Sequence, residues 1–159
     1  MRRCRQQLPD PEVKRILAAA THGVLSLTDI DGEPYGVPLS FAYDGTHAIY
    51  FHCARCGRKI ECIRGDVRAS FCIVSCDEIR PEEFTTYFRS VVLAGRISIV
   101  EDREETIRGL RMLSDKYSPG IDCETEIARC LNRVAVLRFD IAAMSGKEAI
   151  ELVRKRLEE

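Results

Sequence analysis

Ala48-Ile49-Tyr50-Phe51-His52-Cys53-Ala54-Arg55-Cys56-Gly57-Arg58-Lys59 is the stretch on which the reading of this chain turns. Its alternation predicts a strand ending near Ala54, with Ile49 and Phe51 pointing one way and Tyr50 and His52 the other. Gly57 breaks the run, and Arg58-Lys59 lead into a short amphipathic helix carrying Ile60 and Ile63. An imidazole at a strand end, followed by paired cations at a helix start, makes an anion site. The helix start offers free N–H groups and the positive end of the dipole, and the two cations add charge. Taken singly, a solvated helix start and a satisfied core histidine are the commoner fates of such residues. Their conjunction favours a site.

The strand before it, residues 35–43, is equally informative. Tyr35, Val37, Leu39, Phe41 and Tyr43 form an unbroken apolar face, whereas Gly36, Pro38, Ser40 and Ala42 opposite them are all small. Pro38 has no N–H for a ladder and marks an edge, a bulge or a ligand. The bare face leaves room for a flat ligand; equally, it could be a crowded barrel wall that lets a helix approach. Asp31-Gly32 and Asp44-Gly45 are hairpin turns on either side, and His47, just after the second, reads as solvated.

Working outward, Asp10-Pro11 opens a helix whose Val13, Ile16, Leu17 and Ala20 share one face, with Gly23 ending it. Residues 23–29 form a strand with Leu25 and Leu27 inward, and residues 67–75 form another. Residues 79–84, with Pro81 and two acids, read as a loop. A long strand at 87–100 turns Val91, Leu93, Ile97 and Ile99 one way, with Gly95 as a bend or bulge. A helix at 101–117 places Ile107, Leu110 and Leu113 inward and stops at Ser118-Pro119-Gly120. A shorter helix at 124–131, a strand at 134–141 and a final helix begun by Ser145-Gly146-Lys147 complete the order. Antiparallel strands closing on themselves with helices outside predict a six-stranded barrel of the mainly β or α+β class.

The whole chain of 159 residues is read as one domain with a core of its own. A formal net charge of -1 gives no electrostatic case for nucleic acid or an anionic membrane as partner. The charged N-terminus lacks the apolar stretch of a signal peptide and no run is long enough for a membrane span, so a cytoplasmic location is expected. Eight cysteines then read as reduced thiols. Cys53 and Cys56 form a C-x-x-C without a second ligand pair, and His52 and Cys53 face opposite sides of a strand. Neither does the pair open a helix after the first strand of a βαβ unit, as a thioredoxin-like dithiol would. Cys62 and Cys72, within apolar runs, read as small buried hydrophobes.

These residues resemble the FMN-binding split-barrel superfamily of pyridoxamine 5'-phosphate oxidase, and within it the nitroimidazole-resistance, nitroreductase-like branch. The matching pieces are Met1-Arg2-Arg3 with the following helix, Asp31 through Ser40 (DGEPYGVPLS), Ile49 through Ala54 (IYFHCA) and Gly57-Arg58-Lys59. Thr85-Thr86 with Ser90-Val91, Lys116 through Pro119 (KYSP) and Ser145-Gly146-Lys147 extend the match over nearly the whole chain. The resemblance implies a homodimer with two FMN sites at the subunit interface. In it Arg58 and Lys59 hold the phosphate, and the backbone around Val37, Pro38, Leu39 and Ser40 lies along the isoalloxazine. His52 and Ser90 complete the pocket, with His52 as the candidate catalytic acid. Cys53 and Cys56 depart from the small or polar residues expected there. The implied activity is an FMN-dependent oxidoreductase acting on a small organic compound such as a nitroaromatic, with NAD(P)H as donor. No Gly-rich dinucleotide fingerprint is present, so a nicotinamide would bind transiently. The alternative on the same fold is a non-catalytic protein holding flavin, or haem through His52; a zinc-stabilised interaction domain resting on the cysteines ranks third.

Overall fold

Seven strands, β1 (His22–Thr28), β2 (Pro34–Ser40), β3 (Ala42–Tyr43), β4 (Ala48–Ala54), β5 (Arg68–Arg80), β6 (Thr85–Ile99) and β7 (Val134–Glu148), pair antiparallel in one sheet of order β2-β1-β5-β6-β7-β4-β3. Five α-helices among the described residues flank them: α1 (Asp10–Ala19), α2 (Arg58–Gly65), α3 (Arg103–Tyr117), α4 (Glu124–Cys130) and α5 (Ile150–Glu158). The computed structural model describes residues 4–158, so Met1-Arg2-Arg3 lies outside the described residues. The two edge strands, β2 and β3, are consecutive in the chain with Phe41 alone between them. The sheet therefore returns on itself through one residue of backbone instead of a ladder. That is a split barrel, α+β in class.

Several elements run differently from the sequence expectation. The single strand expected at 35–43 is broken at Phe41 into β2 and β3, which turns the expected six strands into seven and leaves the barrel open. β5 continues to Arg80 and pairs with β6 as far as Arg80↔Thr85, so Ile79 and Arg80 of the expected loop at 79–84 are strand, and the rest is the connection, a short 3-10 turn at Pro81–Glu83 followed by Phe84. β7 continues past Ile141 to Glu148. Ser145-Gly146-Lys147 is therefore strand, not a helix start, and pairs with Val92, Val91 and Ser90. Pro9, not Asp10, caps α1.

The inward alternation of every long strand fills the barrel. Leu25, Leu27, Phe41, Ile49, Phe51, Phe71, Ile73, Val91, Leu93, Ile97, Leu137 and Phe139 form one core, closed by Val13, Ile16 and Leu17 of α1 and Ile60 and Ile63 of α2. Phe71 takes Phe41 and Phe51 edge-on, with ring centroids 5.0 and 5.1 Å away, the geometry that the ring quadrupoles favour. A second cluster lies outside the barrel, where Tyr50 and Val136 meet Leu110 of α3, Ile127 of α4 and Leu131 just after it. β4 is thus buried on both faces from Ala48 to Phe51, and exposure begins at His52. No helix among the described residues is long and apolar enough to cross a membrane.

The outward faces of β2, β1, β5 and β6 keep apolar side chains in solvent. Register lines up Pro38, Val24, Cys72, Val92 and Ser145 across five strands, and Val24, Val74 and Val92 are exposed there.

Candidate functional site

β2 alternates as expected: Tyr35, Val37 and Leu39 are half-buried against the barrel core, and Gly36, Pro38 and Ser40 are exposed. Its two ends meet different chemistry.

At the Tyr35 end stands the start of α2. Gly57 takes φ +109 as the helix cap, a conformation that a side chain would strain. The Ile60 and Glu61 N–H groups both donate to the Gly57 carbonyl, at 2.9 and 3.2 Å, which leaves the Arg58 and Lys59 N–H groups with no acceptor inside the helix. Arg58 reaches across to the β1–β2 hairpin. Its Nη2 donates to Asp29 Oδ2 at 2.6 Å, and its guanidinium lies 4.6 Å from the Tyr35 ring centroid. The Arg58 guanidinium first, then the Glu33 N–H, holds the Asp29 carboxyl below the usual carboxylate range. Lys59, half-buried beside the Cys53 thiol, makes no ion pair among the described residues. Burial pushes that thiol upward and the Lys59 charge opposes it. This donor set fits a phosphate, with Lys59 the readier cation and Arg58 already shared with Asp29.

At the Ser40 end lies a cavity of about 430 Å³ between the outward face of β4 and helices α3 and α4. Ser40 and His52 line it on the barrel side, and Leu113, Tyr117, Ile127 and Cys130 are among the residues on the helical side. The expected sharing of one strand face by Tyr50 and His52 holds: Tyr50 is sealed under α3, and His52 emerges where that cover ends. From Tyr35 to Ser40 the strand spans roughly 17 Å at ~3.3 Å per residue.

Ser90 is elsewhere on the surface. It sits on β6 between Val74 and Lys147, on the same outward face as Pro38 but with β1 and β5 between them. The structure therefore brings Ser40 and His52 to one cavity, sets Arg58 and Lys59 at the other end of β2, and leaves Ser90 apart within a single chain. The helical wall and the Asp29–Arg58 pair were not found by reading the sequence. The one available signal was Lys116-Tyr117 at the end of α3, polar residues where an amphipathic helix closes.

Comparison with known proteins places these features. A search of curated proteins found no match. Among solved structures, the chain resembles a candidate 5-nitroimidazole antibiotic resistance protein of Bacteroides thetaiotaomicron VPI-5482 at 21% identity, over 89% of this chain and 86% of that one, with a TM-score of 0.77. It resembles the flavocytochrome Anf3 of Azotobacter vinelandii at 24% identity, over 89% and 67% of the two chains, with a TM-score of 0.72. An FAD-binding protein of Mesorhizobium loti shares 26% identity over 91% of this chain and 97% of that one, with a TM-score of 0.68. The sequence itself matches the family described as pyridoxamine 5'-phosphate oxidase over residues 9–148. That span takes in β2, the His52 strand and the start of α2, and the chain belongs to the pyridoxamine 5'-phosphate oxidase family.

Proposed function

We propose that this protein binds FMN along β2 and acts as an oxidoreductase on a small organic compound such as a nitroaromatic, with NAD(P)H as electron donor. The observation that carries the proposal is the polarity of β2. A cationic helix start stands at its Tyr35 end, a cavity with an imidazole at its Ser40 end, and a bare face of Gly36, Pro38 and Ser40 between them. Lys59, the α2 N–H groups and Arg58 take the phosphate, and the backbone of Val37, Pro38, Leu39 and Ser40 runs beside the ring system. FMN, when bound, would supply the electron-transfer chemistry. His52 stands where a proton is needed as the acceptor gains electrons, and Leu113 and Ile127 line that end with apolar surface. The FAD-binding relative at 26% identity supports a flavin ligand, and the relative tied to 5-nitroimidazole resistance supports an organic acceptor.

A homodimer belongs to the proposal. The exposed Val24, Val74 and Val92 share an outward sheet face with Pro38 and Ser90, and a second copy laid on that face would cover it and bring Ser90 towards a cofactor. The second reading is a protein that holds flavin or haem without turnover; the flavocytochrome relative and the accessible His52 favour it. Mass spectrometry of the ligand released from purified protein, followed by addition of NAD(P)H with and without a nitroaromatic acceptor, separates the two. Released FMN with acceptor-dependent NAD(P)H oxidation is the expected result; a Soret band, or flavin that no nicotinamide reduces, selects the second reading.

A further inference from the structure

Phe41 is the one residue that carries the chain between the two edges of the sheet, and its backbone has no ladder to join. The Tyr117 hydroxyl takes the ladder's place. It accepts from the Phe41 N–H at 3.0 Å, and its single proton is shared between the Phe41 carbonyl, 2.9 Å away, and the Thr21 carbonyl. Its neighbour Lys116 donates to the Ala20 carbonyl at 2.5 Å and sets its ammonium 4.1 Å from the Phe41 ring centroid. Burial drives the Lys116 ammonium below its ordinary range, so this cation is held where water would not choose to leave it. The end of α3, which packs on β3 and β4, thus ties four backbone groups at three residues, Ala20, Thr21 and Phe41. Ser40, the residue before the tie, and Tyr117 itself line the same cavity as His52.

We infer that Lys116 and Tyr117 form a latch across the split and that Tyr117 is a positioning residue, fixing where Ser40 sits relative to His52 on the barrel side of the cavity. The inference rests, for its functional half, on the flavin-site proposal above. Without the phenol, Phe41 must find water for both backbone groups inside a closed corner. The easier response is for the β2–β3 connection to open, which carries Ser40 away from His52. The latch thus couples the end of α3 by hydrogen bonds, and not by packing alone, to Phe41, the residue that follows β2.

The test uses the full chain without flavin first. Tyr117→Phe keeps the ring and removes the hydroxyl. Hydrogen exchange at the Phe41 amide should quicken by about tenfold relative to Leu25, the scale of one lost hydrogen bond. The imidazole NMR signals of His52 should move while those of His47 stay; the chain has three histidines, which keeps the spectrum readable. Loaded with FMN, the variant should show an acceptor KM raised by about tenfold at unchanged flavin occupancy. Should Tyr117→Phe fail to fold, Lys116→Met removes the Ala20 arm and the ammonium over the Phe41 ring but keeps the phenol, and should give smaller changes in the same direction. An unchanged Phe41 amide overturns the latch. A faster Phe41 amide with unmoved His52 signals overturns the positioning role. Absence of flavin binding by the wild type removes the site proposal but leaves both of these readouts able to decide the latch.

Discussion

Arg58 and Asp29 form an ion pair of 2.6 Å that ties α2 to the β1–β2 hairpin, beneath which the Tyr35 ring stacks on the guanidinium. A phosphate arriving at α2 must compete with that carboxylate for Arg58 but not for Lys59. Lys59→Ala should therefore weaken FMN binding more than Arg58→Ala does. Asp29→Asn keeps the turn's acceptor oxygen for the Asp31 and Glu33 N–H groups and removes the competing charge. It should tighten FMN by roughly threefold to tenfold, within the scale of one charge-assisted contact. Fluorescence titration with FMN and riboflavin in parallel checks this. Equal affinity for the two ligands, or an Asp29→Asn variant that binds FMN more weakly, contradicts it.

The second prediction concerns Glu148 at the end of β7. Its side chain is 0% exposed, and Arg89 Nε (3.2 Å) and Arg156 Nε and Nη2 (3.0 and 2.9 Å) grip its two oxygens from β6 and α5. Both arginines keep part of their surface in water, so the carboxylate is the member that cannot be abandoned. Arg89→Met with Arg156→Met should destabilise the fold by about 3–5 kcal/mol, because a buried charge is left unpaired. Glu148→Gln, which removes that charge and keeps a polar side chain, should cost less, about 1–3 kcal/mol. Urea unfolding of the variants checks the order; a double arginine variant as stable as Glu148→Gln would refute the account.

Much of this architecture is legible in the sequence because alternation is a local property. Phe51 inward and His52 outward follow from the pleat alone, as do Leu25 and Leu27 or Val91 and Leu93. What misleads is punctuation. Pro81 among acidic residues reads as a loop, yet Ile79 and Arg80 pair with Thr86 and Thr85 because β6 supplies a partner for them. Ser145-Gly146-Lys147 carries a helix-start signature but is held in β7 by Val91 and Val92 of β6. Periodicity also says which face of a helix is apolar without saying what it will cover. Leu110 and Leu113 were readable as inward, but the cavity they form with Ile127 and His52 depends on α4 arriving from further along the chain. The same holds for Arg58, whose partner lies 29 residues earlier in sequence.

The third prediction is a pH dependence. Tyr50 donates to Glu105 Oε1 at 2.8 Å, and Arg138 Nη1 donates to the same oxygen at 2.8 Å. Burial, then the bond to Glu105, raises the Tyr50 phenol above its ordinary range. Burial also pushes Glu105 upward, but the bonds from Arg138 and Tyr50 outweigh it and the carboxyl lies below its ordinary range. A depressed carboxyl stabilises the fold above its unfolded pKa, near ~4.3, and the contribution is lost as pH falls through the folded value. A raised phenol stabilises below its unfolded pKa, near ~10, and the contribution is lost as pH climbs through the folded value. Glu105→Gln should therefore flatten the acid limb of the stability profile, and Tyr50→Phe the alkaline limb. Urea midpoints measured across pH report both, and parallel profiles for wild type and variants would show that the network does not couple to folding.

The last prediction concerns His52. Its ring opens into the cavity at the point where α3 stops covering β4, on the strand face whose previous member, Tyr50, is sealed in structure. Imidazole can donate a proton near neutral pH, as the reduction of a nitro or carbonyl acceptor demands. If His52 is that acid, His52→Ala should keep FMN bound and lower acceptor reduction by roughly 10²–10⁴-fold, the usual scale for one general acid. If it only hydrogen-bonds the cofactor, the variant should lose FMN while the rate per bound flavin stays level. A packing role predicts neither and should appear as a lower melting temperature, although the exposure of His52 argues against a large one. FMN occupancy, turnover per flavin and melting temperature on this single variant distinguish the three. The position of His52 in the cavity favours the first, and unchanged turnover per flavin at full occupancy would take the residue out of the chemistry.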